Sequence, residues 1–279
     1  MTEALLKVKN LRTEFRTEGG VVKAVDDVSF EVKDGEIFAL VGESGCGKSV
    51  TALSIMGLIP NPPGEIVSGS IEFDGVDLLG LSSREMRAIR GSRIGMIFQE
   101  PMSSLNPVLT IESQLAEPLK IHQNMSMNAA RDRAQELIDI VGIPDSKTRL
   151  KQFPHELSGG QRQRIMIAMA MACNPRLLIA DEATTALDVT IQAQILDLMQ
   201  DVTEQSGASL LIITHNLGIV ARYADRVAVM YAGKLREVSE ATELYTEPHH
   251  PYTIGLLQSV PRLDSDKGAP LSPIAGEIP

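Results

Sequence analysis

Two glycine-rich turns contain the residue types that bind phosphate. The first extends from Gly42 to Ser49 and fits the spacing G-x-x-x-x-G-K-[ST]. Its glycines allow backbone N–H groups to approach phosphate oxygens, and the start of a helix adds partial positive charge. Lys48 would reach the β and γ phosphates of a nucleotide, and the Ser49 hydroxyl would bind Mg²⁺. The spacing predicts a nucleotide-binding loop; the alternative is a chance glycine-rich turn.

The second turn, Leu157 to Gln161, has the sequence of a helix start. Ser158 is a typical N-cap residue, and Gln161 can reach back to it in a capping box. One interpretation is that these residues only cap the helix. The other is that Ser158 and the N–H groups of Gly159 and Gly160 bind a γ-phosphate held by another subunit. Beyond the turn, apolar residues recur at helical spacing, at Ile165, Ala168, Met169 and Ala172.

Polar side chains follow three of the apolar runs. Asp181 and Glu182 come directly after residues 177–180, where Asp181 would hold Mg²⁺ through a water and Glu182 would act as general base on the attacking water. His215 is placed to reach a γ-phosphate, and Gln99 offers an amide oxygen to Mg²⁺ or water. Each alone is more often a solvated or structural residue. Because they occur together with the phosphate loop, these residues predict one hydrolytic site.

Continuous apolar runs of strand length alternate with longer polar segments. Such runs are typical of strands buried on both faces, and the segments between them are long enough for crossover helices. We therefore predict a mainly parallel sheet in an α/β fold. The runs are Ile37 to Val41, Ile94 to Phe98, Leu177 to Ala180, Leu210 to Thr214 and Val227 to Met230.

The remaining regions have other patterns. Short segments that alternate polar and apolar residues before about residue 73 are typical of antiparallel strands with one exposed face. Helical spacing over about 100–172 predicts an inserted helical subdomain. Prolines accumulate after Glu240, so we expect a nucleotide-binding domain over 1–245 and a proline-rich extension over 246–279 with little regular structure. The alternating segments are Leu6 to Thr13, Val21 to Val25, Ser29 to Val32 and Ser70 to Phe73, and the helical positions are Ala134, Leu137, Ile138 and Val141.

Composition excludes several classes of protein. No apolar run approaches the roughly 18 residues of a membrane-spanning helix, and the N-terminus lacks the pattern of a secretory signal. A formal net charge of −10 over 279 residues argues against free nucleic acid as a partner. The two cysteines, Cys46 and Cys173, are too few for a disulfide scaffold and fit a reducing compartment. We expect a cytoplasmic location.

In order and spacing, these motifs resemble the nucleotide-binding subunits of ABC transporters. The resemblance covers roughly residues 5–240 and includes Ala186-Leu187-Asp188 besides the motifs above. It implies a P-loop NTPase core with a mainly parallel sheet, an N-terminal antiparallel β-subdomain and an inserted helical subdomain. It also implies ATP and Mg²⁺ as ligands.

The resemblance assigns a role to each motif residue. Phe15 would stack on adenine, although an aromatic residue on a strand is also typical of a core. Glu182, His215 and Gln99 would be catalytic. Mg²⁺ would be held by Ser49, Gln99 and Asp181. The remaining nucleotide-binding residues would be Gly42, Glu43, Ser44, Gly45, Cys46, Gly47, Lys48, Ser49 and Val50 of one subunit, with Ser158, Gly159, Gly160, Gln161 and Asp188 as the signature and D-loop residues.

Narrower motifs, Phe98 to Pro107 and His250 to Thr253, resemble the oligopeptide, dipeptide and nickel importers. That group usually continues past a segment similar to 274–279 into a cysteine-rich stretch thought to hold an iron–sulfur cluster. The sequence ends at Pro279, as a truncated or a natural short form, and we expect no cluster in it. Ala183 departs from the proline that is common after the catalytic Glu, which relaxes the φ restraint there.

The resemblance therefore implies an ATP-hydrolysing subunit of a membrane importer, at the cytoplasmic face of the membrane, for di- or oligopeptides. Its partners would be integral-membrane permease subunits, which contact the loop after Gln99, a second identical or different ATP-binding subunit, and indirectly an extracytoplasmic solute-binding protein. The alternative is a soluble ABC-type ATPase acting on ribosomes or DNA. Those usually have two such domains or a long coiled coil, for which 279 residues leave no room.

Two smaller features have open interpretations. Cys46 lies near a predicted helix N-terminus, which would lower its thiol pKa, but it also fits a small-residue position of the loop. His249 and His250 suggest a metal site, but two neighbouring histidines without further ligands are usually solvated.

Overall fold

A computed structural model describes residues 4–99, 104–184 and 188–259. Contacts divide the chain into two units, one of residues 1–80 with 212–279 and one of residues 81–211. The strands are β1 (Ala4–Thr17), β2 (Gly20–Lys33), β3 (Ile37–Val41), β4 (Gly64–Phe73), β5 (Val76–Asp77), β6 (Ile94–Ile97), β7 (Leu177–Asp181), β8 (Ser209–Thr214), β9 (Arg226–Tyr231) and β10 (Lys234–Glu240).

The helices among these residues follow the same chain order. They are α1 (Lys48–Ile55), α2 (Ser83–Ile89), α3 (Ile111–Gln123), α4 (Met127–Ile140), α5 (Ser146–Arg149), α6 (Gly159–Met171), α7 (Val189–Ser206), α8 (Leu217–Tyr223), α9 (Ala241–Thr246) and α10 (Pro251–Gln258), with a 3-10 turn at Pro154–Glu156.

The N-terminal sheet is antiparallel, in the order β2-β1-β4-β5. Its strands are longer than the alternating segments predict, and the two segments predicted on either side of Asp27 form one strand, β2. Asp27 has a φ of 63°, and the pairing of β1 with β2 shifts register at this point. The strand therefore passes through a β-bulge rather than ending there.

The second sheet has the order β10-β9-β3-β8-β7-β6. Strand β3 pairs with β9 and β6 with β7 in parallel, whereas β10 is antiparallel to β9. Every residue of β3, β7 and β8 is buried, as continuous apolar runs predict. The predicted α/β class, with a mainly parallel sheet and antiparallel N-terminal strands, is confirmed.

The segment for which a helical subdomain is predicted contains α3, α4, α5 and α6. All four residues predicted to form an apolar face, Ala134, Leu137, Ile138 and Val141, are buried. Of the apolar positions predicted after Ser158, Met169 is half-buried and the other three are buried. Helix α6 is buried over more of its circumference than one face, since Met166, Ile167 and Ala170 are buried too.

The expectation of little regular structure after Glu240 is wrong for residues 241–246 and 251–258, which form α9 and α10. Pro251 occupies the first turn of α10, where its missing N–H costs no hydrogen bond and its fixed φ favours the helix. Residues 260–279 lie outside the described residues. Within the described ranges, no helix is both long and apolar enough to cross a membrane.

Candidate functional site

The phosphate loop lies between β3 and α1, as its motif predicts. Gly42 has a φ of 153°, and a Cβ there would lie 2.1 Å from the carbonyl oxygen of Met230. Gly47 has a φ of 107°, and a Cβ there would lie 2.2 Å from the carbonyl oxygen of Ala24. Real Cβ atoms do not approach backbone oxygens so closely. The loop therefore has its shape because neighbouring backbone occupies the space of two side chains.

Lys48 is the first residue of α1, and only 4% of it is exposed. Its Nζ donates hydrogen bonds to the carbonyl oxygens of Gly42 at 2.9 Å and Glu43 at 2.8 Å. The ammonium group is thus held inside the loop that would surround a phosphate.

Cys46 is buried in the same loop, and burial raises the pKa of its thiol even though Lys48 opposes the shift. The prediction that the nearby helix N-terminus lowers the thiol pKa of Cys46 is therefore wrong. Desolvation outweighs the favourable charges because the thiolate would be buried. The geometry supports the alternative in which Cys46 fills a small-residue position.

Gln99 and Glu182 lie together, 83 positions apart in sequence. The Nε2 of Gln99 donates a hydrogen bond to Oε2 of Glu182 at 3.0 Å. This bond fixes the orientation of the Gln99 amide and leaves its oxygen to accept from other groups or to bind a cation. Glu182 is buried, and Asp181, the last residue of β7, is 5% exposed. Two carboxylates and an amide therefore lie at the ends of the paired strands β6 and β7.

Glu182 has a φ of 45°, in the left-handed region. A side chain in this region costs about 1–3 kcal/mol, and such residues cluster at active sites. Ala183 follows, and without a proline ring it does not fix its own φ. Tertiary contacts, including the bond from Gln99, therefore hold Glu182 in this conformation.

The turn at Ser158 forms the predicted capping box. Ser158 Oγ accepts from the N–H of Gln161 at 3.3 Å, and Gln161 Oε1 accepts from the N–H of Ser158 at 3.1 Å. Arg162 Nη1 donates to the carbonyl oxygen of Leu157 at 2.7 Å, which fixes the residue before the cap. Ser158 is exposed, and Gly159 and Gly160 are half-buried. The start of α6 is therefore ordered by its own side chains and open on its outer side.

The other predicted residues lie in simpler surroundings. His215 is exposed directly after β8. Asp188 is the N-cap of α7, with its carboxylate accepting from the N–H of Ile191 at 3.0 Å. Phe15 is a half-buried residue of β1 whose ring packs against Gly64. Residues 100–103 of the predicted permease-contacting loop, and Ala186 and Leu187 beside Asp188, lie outside the described residues.

No group of three or more His, Cys, Asp or Glu side chains that could hold a metal occurs in the described part of the chain. His249 and His250 instead donate their backbone N–H groups to the carboxylate of Glu237, at 2.8 and 3.0 Å. The side chain of His249 is 64% exposed, whereas that of His250 is half-buried and its Nδ1 accepts the N–H of Tyr252.

The turn between β9 and β10 also shapes the phosphate loop, and sequence reasoning missed it. Met230, near the end of β9, packs on Gly42. In the turn itself, the N–H of Gly233 donates to the carbonyl oxygen of Cys46 at 3.0 Å. Ala232 and Gly233 both have positive φ, of 50° and 76°. Ala-Gly is not one of the pairs typical of a two-residue hairpin turn, and the contact with residue 46 is long-range, so the sequence has no local signal for either.

Comparison with known proteins identifies the family. A family model described as ABC transporter matches residues 25–185, more than half of the chain. The chain belongs to the ABC transporter family. A second model, described as the C-terminal region of oligopeptide/dipeptide transporters, matches residues 237–279 of this ABC transporter family member.

Individual relatives agree with the family models. The dipeptide transport ATP-binding protein DppD of Bacillus subtilis is 56% identical over 277 residues, which are 99% of this chain and 82% of that protein. The oligopeptide transport ATP-binding protein OppD of the same organism is 54% identical over 275 residues, covering 99% of this chain and 77% of that protein. The resemblance to ABC transporter subunits is confirmed.

A solved structure has the same fold. It is a dimeric post-hydrolysis state of the ATP-binding cassette MJ0796 with ADP and Pi, and it is 28% identical in sequence. The match has a TM-score of 0.76 and covers 85% of this chain and 98% of that one. A nucleotide-bound cassette is therefore a close structural relative of this ABC transporter family member.

Proposed function

We propose that this chain is the ATP-hydrolysing subunit of a membrane importer for di- or oligopeptides. The observation that supports it most strongly is the 56% identity with a dipeptide transport ATP-binding protein across 99% of the chain. The match to the C-terminal region of oligopeptide/dipeptide transporters supports the same class of cargo. Peptides are the substrate class and ATP is the energy source.

ATP would bind at the phosphate loop. Residues 42–50 would surround its phosphates, with Lys48 exchanging the carbonyls of Gly42 and Glu43 for phosphate oxygens. An ammonium held by two neutral carbonyls gains a stronger partner when an anion enters, because charge-assisted hydrogen bonds are roughly twice as strong as neutral ones. Phe15 would contact the adenine ring.

Mg²⁺ fits the oxygen donors that this chain offers. The ion prefers one or two carboxylates together with substrate phosphates, so a site with few protein ligands is expected. Asp181 supplies a carboxylate, Gln99 an amide oxygen and Ser49 a hydroxyl. When bound, Mg²⁺ would neutralise charge on the β and γ phosphates.

Glu182 would act as general base on the attacking water. Its carboxylate is fixed by the hydrogen bond from Gln99 and by a strained backbone conformation. A base held in one orientation abstracts a proton without first losing rotational freedom. His215, exposed at the end of β8, would contact the γ-phosphate.

A second ATP-binding subunit would complete the site. Ser158, Gly159, Gly160 and Gln161 would bind the γ-phosphate that the other subunit holds, with Asp188 nearby. The exposed side of the α6 start supports this arrangement, because its capping box leaves the outer face of the turn accessible. The second subunit would be a copy of this chain or a different ATPase.

Membrane attachment would come from permease subunits at the cytoplasmic face, which would contact the loop after Gln99. An extracytoplasmic binding protein would deliver the peptide to them. The 1–245 domain would be the motor, and the segment 246–279 an extension specific to this group of transporters.

Copurification tests the proposal. Tagged full-length chain, expressed in its own cells and recovered from detergent-solubilised membranes, is expected to bring integral-membrane permease subunits with it. The same chain recovered with ribosomes or DNA, and without membrane proteins, would contradict the proposal and support the soluble alternative.

A further inference from the structure

The C-terminal helix α10 packs next to the phosphate loop, and its Tyr252 is the residue concerned. Tyr252 is 7% exposed and belongs to the same buried cluster as Val41, the last residue of β3. Its ring lies against that of Tyr231, with centroids 4.5 Å apart and planes tilted by 43°. Helix α10 thus shares a core with the strand that leads into the loop.

The register of β9 places Tyr231 at the level of the loop. Val229 of β9 pairs with Val41 of β3, and the two strands are parallel. Tyr231 is two residues beyond Val229 and is the last residue of β9, whereas β3 ends at Val41, where the phosphate loop begins. The carbonyl oxygen of the intervening Met230 occupies the space that a Cβ of Gly42 would need. The end of β9 therefore packs against the first residue of the phosphate loop.

Tyr252 lies beside the backbone of Glu43. Burial raises the pKa of Tyr252 to about 12, and hydrogen bonding to the Glu43 backbone opposes that shift. The hydroxyl has no partner of ordinary length and angle among the described residues, so this hydrogen bond is a weak one. The position of the ring, rather than a strong bond from its hydroxyl, is what constrains the loop.

Helix α10 is itself fixed at its start. The carboxylate of Glu237 on β10 accepts the N–H groups of His249 and His250, and the side chain of Glu237 is 7% exposed. His250 Nδ1 then accepts the N–H of Tyr252 at 3.1 Å. Tyr252 thus sits on a helix end with three local hydrogen bonds, and its ring has little freedom to move.

We propose that Tyr252 is a positioning residue for nucleotide binding, whose ring, packed on Tyr231, supports the Gly42–Glu43 segment of the phosphate loop. It acts through the backbone of this segment, whose two carbonyls hold the Lys48 ammonium inside the loop until a phosphate oxygen replaces them. The C-terminal extension thereby becomes part of the ATP-binding machinery. This inference depends on the proposed function, in which the loop binds ATP.

Nucleotide affinity of the full chain tests the inference. Tyr252→Ala is expected to raise the Kd for ATP about tenfold, because small displacements of binding groups are costly. Leu256→Ala is the matched control, since Leu256 lies one turn along α10, is 9% exposed and belongs to the same cluster. It is expected to lower Tm as Tyr252→Ala does but to leave the Kd within about twofold.

Two further variants separate the ring from general packing. Tyr252→Phe retains the ring and is expected to bind ATP as the parent does. Tyr252→Leu retains apolar burial, which protects the fold, and is expected to raise the Kd several-fold. A Phe variant as weak as the Ala variant would contradict the assignment to the ring, and a Leu variant with parental affinity would overturn the proposal.

Alkylation of Cys46 gives a readout without nucleotide. In a Cys173→Ser background, Tyr252→Ala is expected to increase the rate of Cys46 alkylation several-fold, because Cys46 is 4% exposed in the ordered loop and a loosened loop would admit the reagent. Leu256→Ala should not. Equal rates and equal ATP affinities in parent and Tyr252→Ala would overturn the proposal while leaving the proposed function intact. A parent chain that does not bind ATP would instead contradict the proposed function.

Discussion

The two glycine-rich turns of this chain both begin a helix, yet they are built differently. The loop at 42–49 takes its shape from distant backbone, since Met230 and Ala24 fill the space of two missing side chains. The turn at 158–161 takes its shape from its own residues through a capping box. At Gly160, a Cβ would meet only a side-chain atom of Ile191, at 3.3 Å.

This difference indicates what each turn can do alone. The first turn is enclosed on one side, where Lys48 and Cys46 are buried, and exposed at Ser44 and Gly45. Its lysine is therefore positioned by contacts within one chain. The second is ordered but open, with Ser158 exposed. An ordered, open helix start is suited to a ligand that another molecule brings. The comparison therefore supports a nucleotide held by one subunit and covered by the second.

The largest expected effect is on the rate of hydrolysis, which can be lost while the two turns still bind nucleotide. Glu182→Gln should lower kcat by about 10²–10⁴-fold, the usual contribution of a general base, while ATP binding is retained. Steady-state ATPase assays and nucleotide-binding titrations measure the two quantities. Glu136→Gln, at an exposed position of α4, is the control. Hydrolysis by Glu182→Gln at the parental rate would remove Glu182 from its role.

ATP binding by the loop at 42–49 should be sensitive to a single methyl group added at Gly42. Gly42→Ala is expected to weaken ATP binding by about 10²-fold, since overpacking of about 1–3 kcal/mol adds to backbone strain. Gly45→Ala is the matched variant: its φ of 83° is also positive, but nothing lies within 4 Å of its Cβ position. It should lose less, about 1–2 kcal/mol from strain alone. Equal losses, measured by calorimetric titration, would show that the backbone contacts are unimportant.

A substitution in the turn at 158–161 should impair dimerisation and leave the fold of the single chain intact. Ser158→Arg is expected to reduce ATP-dependent dimerisation at least tenfold without unfolding the chain, because a long side chain would occupy the exposed face of the turn. Ser82→Arg is the control, because it alters another serine capping box of this unit, at the start of α2. Light scattering with ATP should show a dimer for Ser82→Arg and not for Ser158→Arg. An intact dimer in both would contradict the shared site.

The smallest expected effect is the loss of stability when an N-cap serine is replaced by alanine. Ser158→Ala and Ser82→Ala should each cost about 1 kcal/mol of stability, the usual value for losing an N-cap. Only Ser158→Ala should also reduce ATP turnover. Urea unfolding and ATPase assays compare the two variants, and a loss of turnover in both would assign the effect to stability.

The same contrast explains how much could be predicted from the sequence. The capping box at Ser158 and the buried strand β3 follow from local patterns, and both are present. The left-handed conformation of Glu182 and the packing of Met230 on Gly42 depend on residues far apart in sequence, so no local pattern predicts them.

Helix α10 was missed for a different reason. The number of prolines after Glu240 predicts little regular structure, whereas Pro251 lies in the first turn of the helix, where proline is favourable. The preceding His250 supplies the cap through its Nδ1. A proline at the start of an apolar segment is therefore a helix signal, and the wrong expectation came from counting prolines without their positions.

Mixing two defective variants tests the shared site most directly. In a Glu182→Gln background, which prevents hydrolysis, Lys48→Ala disables the enclosed turn and Ser158→Arg disables the open one. Neither variant should form an ATP-dependent dimer alone, but an equimolar mixture should, because the intact loop of the Ser158→Arg chain meets the intact turn of the Lys48→Ala chain. A mixture that stays monomeric with ATP, while the Glu182→Gln parent dimerises, would contradict the account.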